Sequence, residues 1–150
     1  MSDLHAYLIG QGQDAQGRRI DDVLGMPDAD LELHHDYIQW LFPLPTASAA
    51  VPGSPVLSPV EIETIRSDPQ ARDALQRAAR RMMRFYNASD HWLVPYDHNH
   101  LRITRIIQSL RLLVDQDAAE TFHAIVSARN ERAGSPVNAR SLRYWREALG

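Results

Sequence analysis

Five of the nine prolines fall in residues 43–59, a stretch without one charged residue, and they bar that part of the chain from helix interiors and from central strands. A flexible linker would be richer in charge and poorer in Val and Leu. The stretch is therefore predicted to be an extended segment lying against helices, with Val51, Val56 and Leu57 as its contacts. Structured loops of this length are uncommon and are often functional.

Elsewhere the apolar residues recur at helical spacing, and no segment sustains a period of two. Asp28 or Asp30 is placed to cap a helix through Leu31, Leu33, Tyr37, Ile38, Leu41 and Phe42, which Pro43 stops. Between Tyr37 and Phe42 only Gln39 is clearly polar, so this helix is predicted to be central and buried on most of its circumference. Ser58-Pro59-Val60-Glu61 combines a capping box with proline at the first helical position and predicts a short helix to about Arg66. Ser67-Asp68-Pro69 starts the next, with Ala71, Leu75, Ala78, Ala79, Met82, Phe85 and Tyr86 inward and Arg77, Arg80, Arg81 and Arg84 outward.

A loop over 87–97 contains Trp92 and Pro95, after which Asp97 or Asn99 caps a helix whose core stripe is Ile103, Ile106, Ile107, Leu110 and Leu113. Asp115 or Asp117 begins another, with Ala118, Phe122, Ile125 and Val126 inward. Gly134-Ser135-Pro136 breaks the chain, and Asn138 caps a terminal helix carrying Leu142, Trp145 and Leu149 on one face. The prediction is an all-α fold, one domain over residues 1–150 in a compact bundle of six or seven helices.

Composition narrows the chemistry. The absence of cysteine removes disulfides, thiolate metal sites and cysteine nucleophiles, so any metal would need His, Asp or Glu. No apolar run approaches a membrane span, and Met-Ser-Asp-Leu-His lacks the features of a signal peptide; the expected location is cytoplasmic. The net charge of −3 hides 12 acids against 4 arginines in residues 1–75 and 7 acids against 12 arginines in residues 76–150. Every basic residue is arginine, whose planar fork suits carboxylates and phosphates.

Two strings stand out: His34-His35-Asp36-Tyr37-Ile38-Gln39-Trp40-Leu41-Phe42-Pro43 and His98-Asn99-His100-Leu101-Arg102-Ile103-Thr104-Arg105-Ile106. With Gly17-Arg18-Arg19-Ile20-Asp21-Asp22-Val23-Leu24, Leu31-Glu32 and the Pro52 to Leu57 segment, they resemble the conserved region of the opioid growth factor receptor family over roughly residues 6–149. The resemblance implies a compact helical domain and no known reaction. The animal member is regarded as a receptor for the pentapeptide methionine-enkephalin, found around the nucleus and linked to restraint of growth. A receptor label also brings an implied membrane association. Without the long extensions and repeats of the animal proteins, the chain resembles the stand-alone microbial members, to which opioid signalling is not carried over.

On one helix Asp36 would share a face with Trp40, and His35 with Gln39, either tying loop backbones to the core or lining a cleft. His98, Arg102, Arg105 and Ser109 form a stripe at i, i+4, i+7 and i+11, suited to an anion near a helix N-terminus or to internal pairing with Asp36, Asp21 or Asp22. The favoured expectation is a non-enzymatic recognition domain. A cleft between these two helices would take a small anionic or peptide-like ligand through His35, Asp36, Gln39, Trp40, His98, Asn99, His100, Arg102 and Arg105, with no cofactor or metal.

One alternative is a His-dependent or metal-assisted hydrolase using His98 or His35 as base and Asp36 or Asp97 to orient it. His98 and His100 form an H-x-H pair, with His91, His34, His35 and Asp97 as possible additions, but no zinc-protease spacing, P-loop, nucleophile elbow or dinucleotide fingerprint is present. The other is nucleic-acid binding through the arginines of residues 77–84 and 140–146, against which overall acidity and the lack of lysine argue. The terminal helix, with Tyr144 and Trp145 beside three arginines, is a further candidate for homodimer docking.

Overall fold

The computed structural model describes residues 1–150 and contains nine α-helices and no strand. The chain forms two units, Met1–Ala78 and Ala79–Gly150. No helix is long and apolar enough to cross a membrane.

The first unit holds α1 (Asp3–Leu8), α2 (Ile20–Leu24), α3 (Asp28–Leu33), α4 (Ile38–Leu41), α5 (Pro59–Arg66) and the opening turns of α6 (Pro69–Ala88). The Ser2 hydroxyl caps α1 by accepting from the His5 amide, and α1 packs against α4 and α5. The capping box is present: Ser58 accepts from the Glu61 amide at 3.1 Å, and Glu61 accepts from the Ser58 amide at 2.8 Å. Asp68 opens α6 by accepting from the Gln70 amide at 2.9 Å.

The helix expected from Leu31 to Phe42 is instead two short ones. After Leu33 the backbone of His34 is extended (φ −88°, ψ 140°), and helix resumes only at Ile38. Local polar bonds favour the break: the Tyr37 hydroxyl donates to the Leu31 carbonyl at 2.6 Å, and Asp36 accepts from Arg18 at 3.0 Å. Pro27, not an aspartate, stands at the cap of α3, and Leu33, expected inward, is 69% exposed. The predicted burial holds for Tyr37, Ile38, Gln39, Leu41 and Phe42. This break, together with α1 and α2, raises the count from six or seven to nine.

The proline-rich segment is anchored at its ends. Leu57 donates to the Leu44 carbonyl at 3.0 Å, and both side chains are buried, whereas Val56 faces solvent and Val51 is half-buried. Along α6 the whole predicted apolar stripe is buried, and Arg81, expected outward, is buried with it.

The second unit comprises the rest of α6, α7 (Asn99–Leu113), α8 (Gln116–Arg132) and α9 (Ala139–Glu147), with α7 packed on α8 and α9. All five predicted core residues of α7 are inaccessible. Asp115 caps α8 through the Ala118 amide at 2.8 Å, and Asn138 caps α9 through the Ser141 amide at 2.8 Å. Inward packing of α8 falls on Ala119, Phe122 and Val126, with Ala118 and Ile125 only half-buried. Between the two helices, Gly134 and Ser135 take positive φ (90° and 57°), a turn that a further helical step could not make.

Candidate functional site

The loop before α7 and the first turns of α7 and α9 enclose an open groove of about 550 Å³. Two sets of hydrogen bonds fix its shape. The Asn138 side-chain amide donates to the Pro95 carbonyl at 2.6 Å, and the Trp145 indole donates to the His100 carbonyl at 3.0 Å. His100 is buried and donates Nε2–H to the Trp92 carbonyl at 2.8 Å; a carbonyl can only accept, which sets the tautomer. Its ring lies edge-on to Trp145 at 6.1 Å. Around this floor stand Tyr96, His98, Leu101, Arg140 and Tyr144. Tyr96 is 81% and Leu101 68% exposed, and no carboxylate pairs with Arg140.

Asn99 works inside the fold. It is inaccessible, accepts from the Tyr86 hydroxyl at 3.1 Å, and donates through both its main-chain and side-chain nitrogens to Asp97 at 2.9 Å. The predicted Asp97 start signal is thus real, although the cap position itself is His98. His98 is half-exposed with Nδ1 4.0 Å from Asp97, longer than a hydrogen bond. Its backbone is already helical (φ −61°, ψ −24°), not the extended turn that joint ligation by His98 and His100 would require. No group of three or more His, Asp or Glu side chains is arranged to hold a metal ion.

Beyond His98, the polar stripe along α7 is not a solvent face. Arg102 is 7% exposed and Ser109 inaccessible, and burial pushes the Arg105 guanidinium down to about 10, still charged at neutral pH. Neither arginine lines the groove; Arg140 supplies its cation.

The first string falls in the other unit. His35 is exposed; Asp36, Gln39 and Trp40 are not aligned on one helix with it, because Asp36 precedes α4. Asp36 and the fully buried Asp14 both hold Arg18, at 3.0 and 2.7 Å. Burial opposes the guanidinium's charge, but these two carboxylates outweigh it and raise its pKa. Asp21 pairs with Arg77 at 3.1 Å, and Asp22 caps α2 through the Arg19 amide. Trp40 packs on Tyr7, with ring centroids 5.4 Å apart, and burial followed by the Asp14 charge pushes the Tyr7 phenol up. Gln39 is buried with Oε1 lacking a hydrogen-bond partner.

The structure therefore brings His98 and His100 to the groove, with Asn99 buried behind them, and it adds Tyr96, Leu101 and Tyr144, which the sequence reading did not assign to a ligand, and Arg140, which it considered only as a nucleic-acid contact. The signal for Arg140 and Tyr144 was present in the arginine–aromatic mixture after the Asn138 cap; that helix face lines a groove.

Comparison with known proteins bears on the first string and not on the groove, which lies beyond the matched residues. The model for the opioid growth factor receptor (OGFr) conserved region matches residues 3–94, which includes the first string and stops before the second. The opioid growth factor receptors of Mus musculus and Rattus norvegicus are 36% and 37% identical over 98 residues, 53% of this chain. The match covers 15% and 17% of those proteins, so the chain spans less than a fifth of their length. No solved structure matches. With more than half of its residues inside the matched region, the chain belongs to the opioid growth factor receptor conserved-region family.

Proposed function

We propose that this chain is a non-enzymatic recognition domain that binds a small anionic or peptide-like ligand in the groove between the first turns of α7 and α9. The carrying observation is the unpaired Arg140 guanidinium among exposed rings, on a floor held by the Trp145–His100 and Asn138–Pro95 bonds. A site whose floor is fixed beforehand loses less ordering entropy on binding. Its volume falls in the usual range for small-ligand sites, roughly 300–1,000 Å³. The relatives' name, a receptor for a growth factor, fits recognition.

The test is an amide-resolved NMR titration with inorganic phosphate, citrate and tetrapeptides bearing free carboxyl termini. The expected result is saturable shifts at Tyr96, Leu101, Arg140 and Tyr144, lost in Arg140→Ala. Shifts scattered over other surfaces, or none with any probe including nucleotides, would remove the reading.

A further inference from the structure

We infer that the groove takes a nucleoside phosphate, with the base against the exposed tyrosine rings and the phosphate on Arg140; this rests on the groove being a ligand site. Three π systems line the groove together with one guanidinium: Tyr96 at 81% exposure, Tyr144 at 38%, and the half-exposed imidazole of His98. Aromatic faces receive any base, because every base has a π-face, while a neighbouring arginine takes the backbone phosphate. Arg143, whose Nε lies 3.6 Å from Glu147, covers one face of the Tyr144 ring at 5.6 Å and leaves the other face for a base.

Charge complementarity favours phosphate. Residues 79–150 carry 11 arginines and 7 acids, against 5 arginines and 12 acids in residues 1–78, so the groove lies in the basic part of the chain. The one acid lining it, Asp97, has Oδ1 bonded to both nitrogens of Asn99, which spreads its charge. The Ser141 oxygen accepts from Asn138 and leaves its own proton for a ligand oxygen.

The experiment is calorimetric titration at low and physiological salt with AMP, GMP, CMP and UMP, the corresponding nucleosides, ribose 5-phosphate, a single-stranded hexanucleotide and the tetrapeptide acids. Mononucleotides should bind more tightly than nucleosides or ribose 5-phosphate, and Arg140→Ala and Tyr144→Ala should each weaken them about tenfold or more. These side chains are exposed or at the rim, and circular dichroism checks that the variants remain folded. A hexanucleotide that binds more tightly than the mononucleotides at physiological salt, with affinity falling as salt rises, would assign the nucleotide to nucleic acid; one that binds no more tightly, to a free small molecule. Tetrapeptides binding where nucleotides do not would overturn this inference and leave the recognition reading standing. Silence from every probe would overturn both, and nucleotide affinity unchanged by Arg140→Ala and Tyr144→Ala would overturn the assignment to this groove.

Discussion

The indole nitrogen of Trp145 donates to the main-chain carbonyl of His100 at 3.0 Å across 45 residues of sequence, and in doing so fastens α9 to the first turn of α7. Trp145 is inaccessible, with Trp92 at 6.4 Å and His100 at 6.1 Å between ring centroids. Its replacement separates two contributions. Trp145→Phe keeps an aromatic ring and loses the donor, an expected cost of about 1–2 kcal/mol. Trp145→Ala also opens a cavity and should cost about 3–5 kcal/mol. Urea denaturation measures both; equal losses would show that the hydrogen bond, and not the ring, dominates.

Asn138 serves two structures with one side chain. Its oxygen caps α9 at the Ser141 amide, while its nitrogen reaches the Pro95 carbonyl across the groove. Asn138→Asp preserves the cap oxygen and removes the donor; Asn138→Ala removes both. The expected loss for alanine is about 1–2 kcal/mol. The aspartate variant should keep much of that stability yet weaken the hydrogen-exchange protection of the main-chain amide at position 138, which donates to the same Pro95 carbonyl at 3.3 Å. Unchanged exchange there would show that the loop is held by other contacts.

Caps and stripes were legible because they depend on neighbours in sequence. Asn138, Asp115 and Ser58 act as read, and Ile103, Ile106, Ile107, Leu110 and Leu113 are buried as read. The break at His34 was not legible, since periodicity sees apolar residues at matching intervals and cannot see Arg18 drawing Asp36 away or Tyr37 reaching Leu31. The same limit applies to Arg102. A polar stripe on a helix normally faces water, and only tertiary packing reveals that this one is covered. The groove depends on a bond from Trp145 to His100, for which a sequence offers no spacing rule.

The two carboxylates on Arg18 should contribute unequally. Asp14 is wholly buried and accepts from the Gln16 amide, the Arg18 amide and Arg18 Nε at 2.9, 3.0 and 2.7 Å; Asp36 is one-third exposed and accepts one bond. Asp14→Ala strands two amides and part of a largely buried guanidinium, an expected loss of about 3–5 kcal/mol. Asp36→Ala should cost about 1 kcal/mol or less, because solvent replaces it. Denaturant midpoints of both variants check the order, and a reversed order would place the anchor at Asp36.

His123 gives a pH prediction. Burial first, and then the Arg146 charge, lower its pKa from the ordinary 6.5. In the window between the folded value and 6.5 the unfolded chain binds more protons at this site, so stability increases with pH and is lost as pH falls below about 6.5. His123→Gln should flatten that part of the stability profile. Its imidazole titration, followed by NMR, should have a midpoint below 6.5 that moves upward in Arg146→Gln. A midpoint at or above the ordinary value would remove the predicted acid sensitivity.

Gln39 is a place where the native residue should not be the most stable one. It is 5% exposed, and its Oε1 is buried without a partner, a group whose desolvation typically costs about 1–3 kcal/mol. Methionine has a similar length, no strong acceptor, and enough freedom to fill the same space. Gln39→Met is therefore expected to raise stability by about 1 kcal/mol, read as a higher urea midpoint with an unchanged slope. Gln39→Glu should do the opposite, because it puts a charge where the oxygen has no donor. Loss of stability in the methionine variant would show that the amide oxygen is satisfied in solution, for example by an ordered water.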